Sequence, residues 1–84
     1  MINKNTLKKK IMYRSTHRGT KEMDLLLGSF VKKNINNLET YELKDLYDLM
    51  NKDDEILFNF YYKKEYNLIN NNNKILEIFK NHKF

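Results

Sequence analysis

A lone glycine between two stretches of helical period constrains this chain more than any other feature. Upstream of Gly19, the residues Thr6, Leu7 and Ile11 suggest a helix running to about Ser15, with Arg14, His17 and Arg18 crowding its C-terminal end. Cations suit that end because the last carbonyls of a helix carry partial negative charge. Downstream, Met23, Leu26, Leu27, Phe30 and Val31 recur at i, i+3, i+4, i+7 and i+8, one face of a second helix. Gly19 stands just past a helix end, where a positive φ is usually wanted. Either Gly19 or Thr20 can cap the second helix. With Gly19 at the cap, Glu22 falls at the third helical position, the acidic half of a capping box. Asp24 adds negative charge to the same turn. The joint is therefore expected to present Arg18 and Glu22 together at its apex. A surface ion pair there would contribute little by itself.

The rest of the chain reads as further short helices. Lys32 to Leu38 breaks the periodicity and is expected to be a loop, closing with Leu38 as a hydrophobic staple before a cap at Glu39 or Thr40. A third helix spans about Thr40 to Met50, with Leu43, Leu46, Tyr47 and Met50 on one face and Leu49 broadening it. Asn51 to Asp54 is a turn whose aspartates can cap the next helix. That fourth helix, about Glu55 to Tyr62, buries Phe60 and Tyr61 with either Leu57 or Ile56. Lys63 to Asn73 is polar, its run of asparagines a poor helix former, and Tyr66, Leu68 and Ile69 are expected to anchor part of it. A fifth helix, about Lys74 to Asn81, offers Ile75, Leu76, Ile78 and Phe79. No segment alternates as a strand would. The fold expected is all-α, a compact bundle of about five short helices. It forms a single domain over 1–84, with the joint at 13–24 and polar loops near 32–39 and 63–73.

Composition excludes several functions. A chain of 84 residues buries only about 60–65% of its unfolded surface, which leaves little room for a desolvated catalytic pocket. There is no cysteine, so neither a disulfide framework nor a thiolate metal site is available. His17 and His82 lack a second imidazole at ligand spacing and read as surface or capping residues. Asp53 and Asp54 lack the spaced oxygens of a calcium loop. With only two glycines, Gly19 and Gly28, no phosphate-cradling loop can form. Gly28, inside the second helix, costs about 1 kcal/mol relative to alanine. The aromatics Phe58, Phe60, Tyr61, Tyr62 and Tyr66 stand at helical spacing and read as core and rim rather than a stacking platform. No catalytic residues, metal site or cofactor of its own are expected, and the chain is not expected to be an enzyme.

Charge is unevenly spread. Lys4, Lys8, Lys9, Lys10, Arg14 and Arg18 precede Gly19 with no acid among them, and acids cluster from Glu39 to Glu55. A net charge of +5 makes a small basic nucleic-acid-binding protein one alternative, since such arrays displace counterions from phosphates. Against it, the helix after the joint is rich in leucine and opens with acids, unlike a recognition helix. A basic flank also steers an acidic protein partner. No apolar run approaches the roughly 18 residues of a membrane span. The acid-poor start superficially resembles a transit peptide, yet lacks Arg and Ser enrichment before Tyr13. It is read as part of the mature fold.

Arg18-Gly19-Thr20-Lys21-Glu22, followed by Met23-Asp24-Leu25 and a closing Phe30, resembles the RGxxE signature of the succinate dehydrogenase assembly factors, the small flavinylation factors of bacteria and mitochondria. The resemblance takes in Tyr13-Arg14-Ser15 upstream. Downstream it takes in Leu38-Glu39, Glu42 and the stretch through Leu46, Leu49-Met50, Asp53-Asp54 and Leu57-Phe58-Asn59. About Lys8 to Tyr61 is covered. Three positions depart from the family pattern: His17 stands where another Arg is common, Glu55 replaces a proline, and Phe60 replaces a Trp. The resemblance implies a chaperone-like factor that binds the flavoprotein subunit of succinate dehydrogenase, or in some bacteria fumarate reductase, and promotes covalent FAD attachment there. It implies that Arg18, Gly19 and Glu22 contact the partner, with Tyr13, Arg14, His17 and Asp24 as the rim. On residue type, Gly19 admits another backbone, Arg18 offers a fork of donors to the partner, and Glu22 either pins Arg18 or accepts from the partner. Gly19→Arg is then expected to abolish binding while sparing the fold. The expected factor is a monomer of the bacterial cytoplasm rather than the mitochondrial matrix. The second alternative is a helical interaction adaptor without a flavin role.

Overall fold

The computed structural model describes residues 3–70 and 73–84. The chain begins with a cap that sequence pattern did not single out: Asn3 accepts from the Thr6 amide at 2.9 Å, starting α1 (Lys4–Thr16). Leu7, Ile11 and Ser15 turn inward along it, and the lysines remain a solvated face. α2 (Lys21–Asn34) is capped by Thr20, whose hydroxyl accepts from the Met23 amide at 3.3 Å. Glu22 is therefore the second helical residue, and the capping box built on Gly19 does not form. Met23, Leu26, Leu27, Phe30 and Val31 are all buried, as their spacing requires.

The loop expected from Lys32 is shorter than its polar sequence suggests. α2 continues to Asn34 and tightens into a 3-10 turn, Ile35–Asn37. Two contacts explain the extension: Ile35 and Leu38 are both buried, and the Asn34 side chain donates to the Phe30 carbonyl at 2.8 Å. α3 (Thr40–Met50) starts at Glu39, whose amide donates to Glu42 Oε1 at 2.8 Å. The other Glu42 oxygen meets Lys74 Nζ at 3.1 Å, which ties the start of α5 to the start of α3. The Glu39 amide, with Lys74 beside it, holds the Glu42 carboxyl below the usual range.

α4 (Asp54–Tyr62) buries Leu57 and Phe60, so Leu57 rather than Ile56 faces the core, and Tyr61 is half-buried. Asp53 stands at its cap without a side-chain capping bond. Of the residues expected to anchor the following segment, only Ile69 is buried; Tyr66 and Leu68, in a 3-10 turn (Tyr66–Leu68), are exposed. The asparagine run falls partly on residues 71 and 72, outside the described residues. α5 (Lys74–Lys80) inserts Ile75, Leu76 and Phe79 against α3 and α4. α1 packs on both α2 and α3. The radius of gyration, 11.9 Å, equals the roughly 12 Å expected of a globular chain of this length. Among the described residues no helix is long and apolar enough to cross a membrane.

His82 corrects the reading of a surface histidine. It is buried beyond α5 with its ring edge-on to Phe30 at 5.3 Å, and its carbonyl accepts from the Tyr61 hydroxyl. Ser29 Oγ donates its one proton to the Leu26 carbonyl at 2.9 Å, so it must accept from His82 Nε2 at 2.9 Å. That leaves His82 Nδ1 buried without a hydrogen-bond partner among the described residues.

Candidate functional site

Two joints meet at one end of the bundle: His17–Thr20 between α1 and α2, and Asn51–Asp53 between α3 and α4. Each leaves helix-end carbonyls needing donors, and the carbonyls at the C-terminal end of α3 attract a cation. Arg18 supplies it. Its guanidinium donates to the Met50 carbonyl at 2.6 Å, the Lys52 carbonyl at 2.7 Å and the Arg14 carbonyl at 3.2 Å. Its Nε donates to Asp54 Oδ1 at 2.8 Å, and the side chain is only 8% exposed. The second Asp54 oxygen accepts from the Gly19 amide at 2.7 Å, while the Arg18 amide donates to Asp24 Oδ1 at 2.6 Å. One arginine and two aspartates thus clasp residues 36 positions apart.

This geometry revises three expectations. Arg18 does not hold its fork out to a partner; the fork is taken by carbonyls and a carboxylate of its own chain. Gly19 has no positive φ. What favours glycine there is space, because a Cβ would lie 3.0 Å from Asp54 Oδ2. Gly19→Arg is consequently not a clean probe of binding, since it strikes the clasp as well. Nor do Arg18 and Glu22 pair. Glu22 is exposed and makes no hydrogen bond or ion pair among the described residues. It borders a shallow hollow of about 290 Å³ between α2 and α4, beside Glu55 and Phe58.

The remaining site residues divide by face. Tyr13, Arg14 and His17 are exposed on the opposite side of the clasp, along an open groove of about 1070 Å³ between α1 and the α3–α4 joint. The rings of Tyr13 and His17 stack at 3.9 Å, and His17 Nδ1 donates to the Tyr13 carbonyl at 2.7 Å. Asp24 is half-buried and engaged with the Arg18 amide, a structural tie more than a rim. Asp54, which holds both Gly19 and Arg18, was missed as a site residue. Its sequence position offered a helix cap and no sign of a partner across the chain. Phe58 and Tyr62 form a tilted, exposed pair at 4.9 Å, whereas Phe60 is in the core beside Phe79. Among the described residues no cluster of His, Asp or Glu could hold a metal ion.

A sequence profile for the family described as flavinator of succinate dehydrogenase matches residues 9–83. The chain belongs to that family. Its flavinator relatives include the mitochondrial succinate dehydrogenase assembly factor 2 of Dictyostelium discoideum, 45% identical over 58 residues, which cover 69% of this chain and 41% of the relative. The Arabidopsis thaliana protein of the same name is 32% identical over 63 residues, 75% of this chain and 34% of its own length. The FAD assembly factor SdhE of Acetobacter pasteurianus is 34% identical over 47 residues, 56% of this chain and 43% of the relative. The matched region thus spans less than half the length of each of these flavinator relatives. No solved structure matches the chain.

Proposed function

We propose that this chain is an assembly factor that binds the flavoprotein subunit of succinate dehydrogenase and promotes covalent attachment of FAD to it. It carries no flavin and catalyses no bond itself. The factor acts by population shift, binding the flavinylation-ready conformer of the flavoprotein more tightly than other conformers. The observation that carries this reading, beside the family match, is the division of labour within the RGxxE motif. Arg18 and Gly19 are engaged in building the joint, and Glu22 is left exposed and unpaired on it. A carboxylate in that position is free to accept hydrogen bonds from another chain. Tyr13, Arg14 and His17, on the other side of the clasp, line a second face for the partner. Fumarate reductase, where present, is the second client, and the factor works as a monomer. The bacterial cytoplasm is the proposed compartment, with the mitochondrial matrix the alternative; two relatives are named as mitochondrial.

In-gel flavin fluorescence of the flavoprotein subunit tests the reading. Deleting the gene should deplete the covalent flavin band, and wild type but not Glu22→Ala should restore it. Glu22→Ala should leave helical content and melting near wild type, because that side chain makes no hydrogen bond or ion pair among the described residues and its first-turn charge contributes about 0.3–1 kcal/mol at most. An unaltered band in the deletion strain would instead favour an adaptor acting on another partner.

A further inference from the structure

The groove between α1 and the α3–α4 joint carries positive charge that the fold does not use. Lys9, Lys10 and Arg14 line it from α1, and Lys52 from the joint. None of the four has a carboxylate partner among the described residues. Arg18 is matched by Asp54, so the surplus belongs to these four cations; Asp53 is the other carboxylate lining the groove, and Lys52 also borders a small hollow with Asp45 and Asp48. Tyr13 and Tyr47 add aromatic surface between them. At about 1070 Å³ the groove exceeds the upper end of small-ligand pockets, about 1,000 Å³, and it is open along its length.

We infer that this groove receives an extended acidic segment of the partner protein, with carboxylates on the four cations and an apolar or aromatic side chain against Tyr13 and Tyr47. The inference rests on the assembly-factor reading for the identity of that partner. Charge complementarity selects an anionic occupant, and the groove's own acids select its kind. A compact phosphate site commonly adds backbone amides at a helix start to its cations. Here the start of α4 carries Asp54 and Glu55, and the Gly19 amide is already taken by Asp54. A duplex would bring unbroken phosphate charge against Asp53. A polypeptide can space its carboxylates to meet Lys9, Lys10, Arg14 and Lys52 and place a neutral residue opposite Asp53.

Two titrations by fluorescence anisotropy test this, each with wild type, Lys9→Glu/Lys10→Glu, and Lys63→Glu/Lys64→Glu as an equal charge change outside the groove. The first uses a labelled synthetic peptide rich in glutamate with one central phenylalanine. Wild type and the outside control should bind it alike, more weakly as salt rises, and the groove variant should weaken by about tenfold or more. Absence of saturable binding to wild type, or equal loss in both variants, overturns the inference. So does a DNA duplex that displaces the peptide at lower concentration. Should the double reversal unfold α1 by circular dichroism, the milder Arg14→Gln repeats the test. The second titration uses the isolated flavoprotein subunit. Loss in the groove variant alone supports the inference, and unchanged binding overturns it while leaving the assembly-factor reading intact. If wild type binds the peptide but not the flavoprotein, the acidic-segment preference is supported and the assignment of its partner is overturned.

Discussion

The two ends of the bundle are closed by different physics. At the joint end, a guanidinium and two carboxylates satisfy helix-end carbonyls and loop amides, and the interactions are directional. At the other end, Phe30, Phe60, Phe79 and Tyr61 pack ring against ring, with the His82 ring edge-on to Phe30, and burial disfavours the charged form of both titratable groups there, lowering the His82 pKa and raising that of Tyr61. A directional clasp keeps a surface in one shape while leaving neighbouring side chains free. An aromatic plug contributes burial and offers nothing to a partner.

The largest expected effect is at the plug. A domain of 84 residues has a total stability of about 4–12 kcal/mol, and Phe79→Ala should remove about 3–5 kcal/mol of it. Urea denaturation should find this variant partly or wholly unfolded; a near-native midpoint would show that the plug is dispensable. Arg18→Lys should come next, at about 2 kcal/mol. An ammonium cannot reach Asp54 and the carbonyls of Met50 and Lys52 at once. If the loss were negligible, the clasp would be decoration and Arg18 would be available to a partner after all.

The third experiment is a pH series that separates the ends. Burial, with the Lys33 charge nearby, depresses the His82 pKa below its ordinary 6.5. The folded state therefore binds fewer protons than the unfolded one in that range. Stability is full above 6.5 and falls as pH drops from there toward the folded value. Glu77 of α5 lines the same hollow as Lys33 and His82 and is paired with Lys80. Denaturation at successive pH values should show this slope in wild type and not in His82→Gln. The Glu42 carboxyl, also depressed, loses its stabilising contribution only below about 4.5, so the two are resolved by range. The smallest effect is expected for Gly19→Ala, about 1 kcal/mol, because Asp54 must shift from its 3.0 Å approach. A larger loss would mean that the clasp has no slack.

Much of the fold was legible in the sequence for a local reason. Helical period and caps are short-range signals, so the face from Met23 to Val31, the start of α3 at Glu39 or Thr40 and the leucine face of that helix could be read directly. Where burial of Ile35 and Leu38 and the Asn34–Phe30 bond carried polar residues into the helix, as at Lys32–Asn34, the reading placed a loop. The joint's position was legible as well, through Gly19 and the RGxxE pattern.

What the sequence determined by itself is an all-α chain with a basic helix, a glycine joint and a family signature, since period, composition and motif are properties of neighbours. Only the tertiary structure decided that Arg18 faces inward, that Glu22 stands alone, that Asp54 holds Gly19 and that His82 is buried. The Arg18, Asp54 and His82 outcomes each depend on contacts across tens of residues, and Glu22 is left over because Arg18 is taken by them. Which donor meets which acceptor at that distance is settled by how helices stack, and no local pattern encodes it.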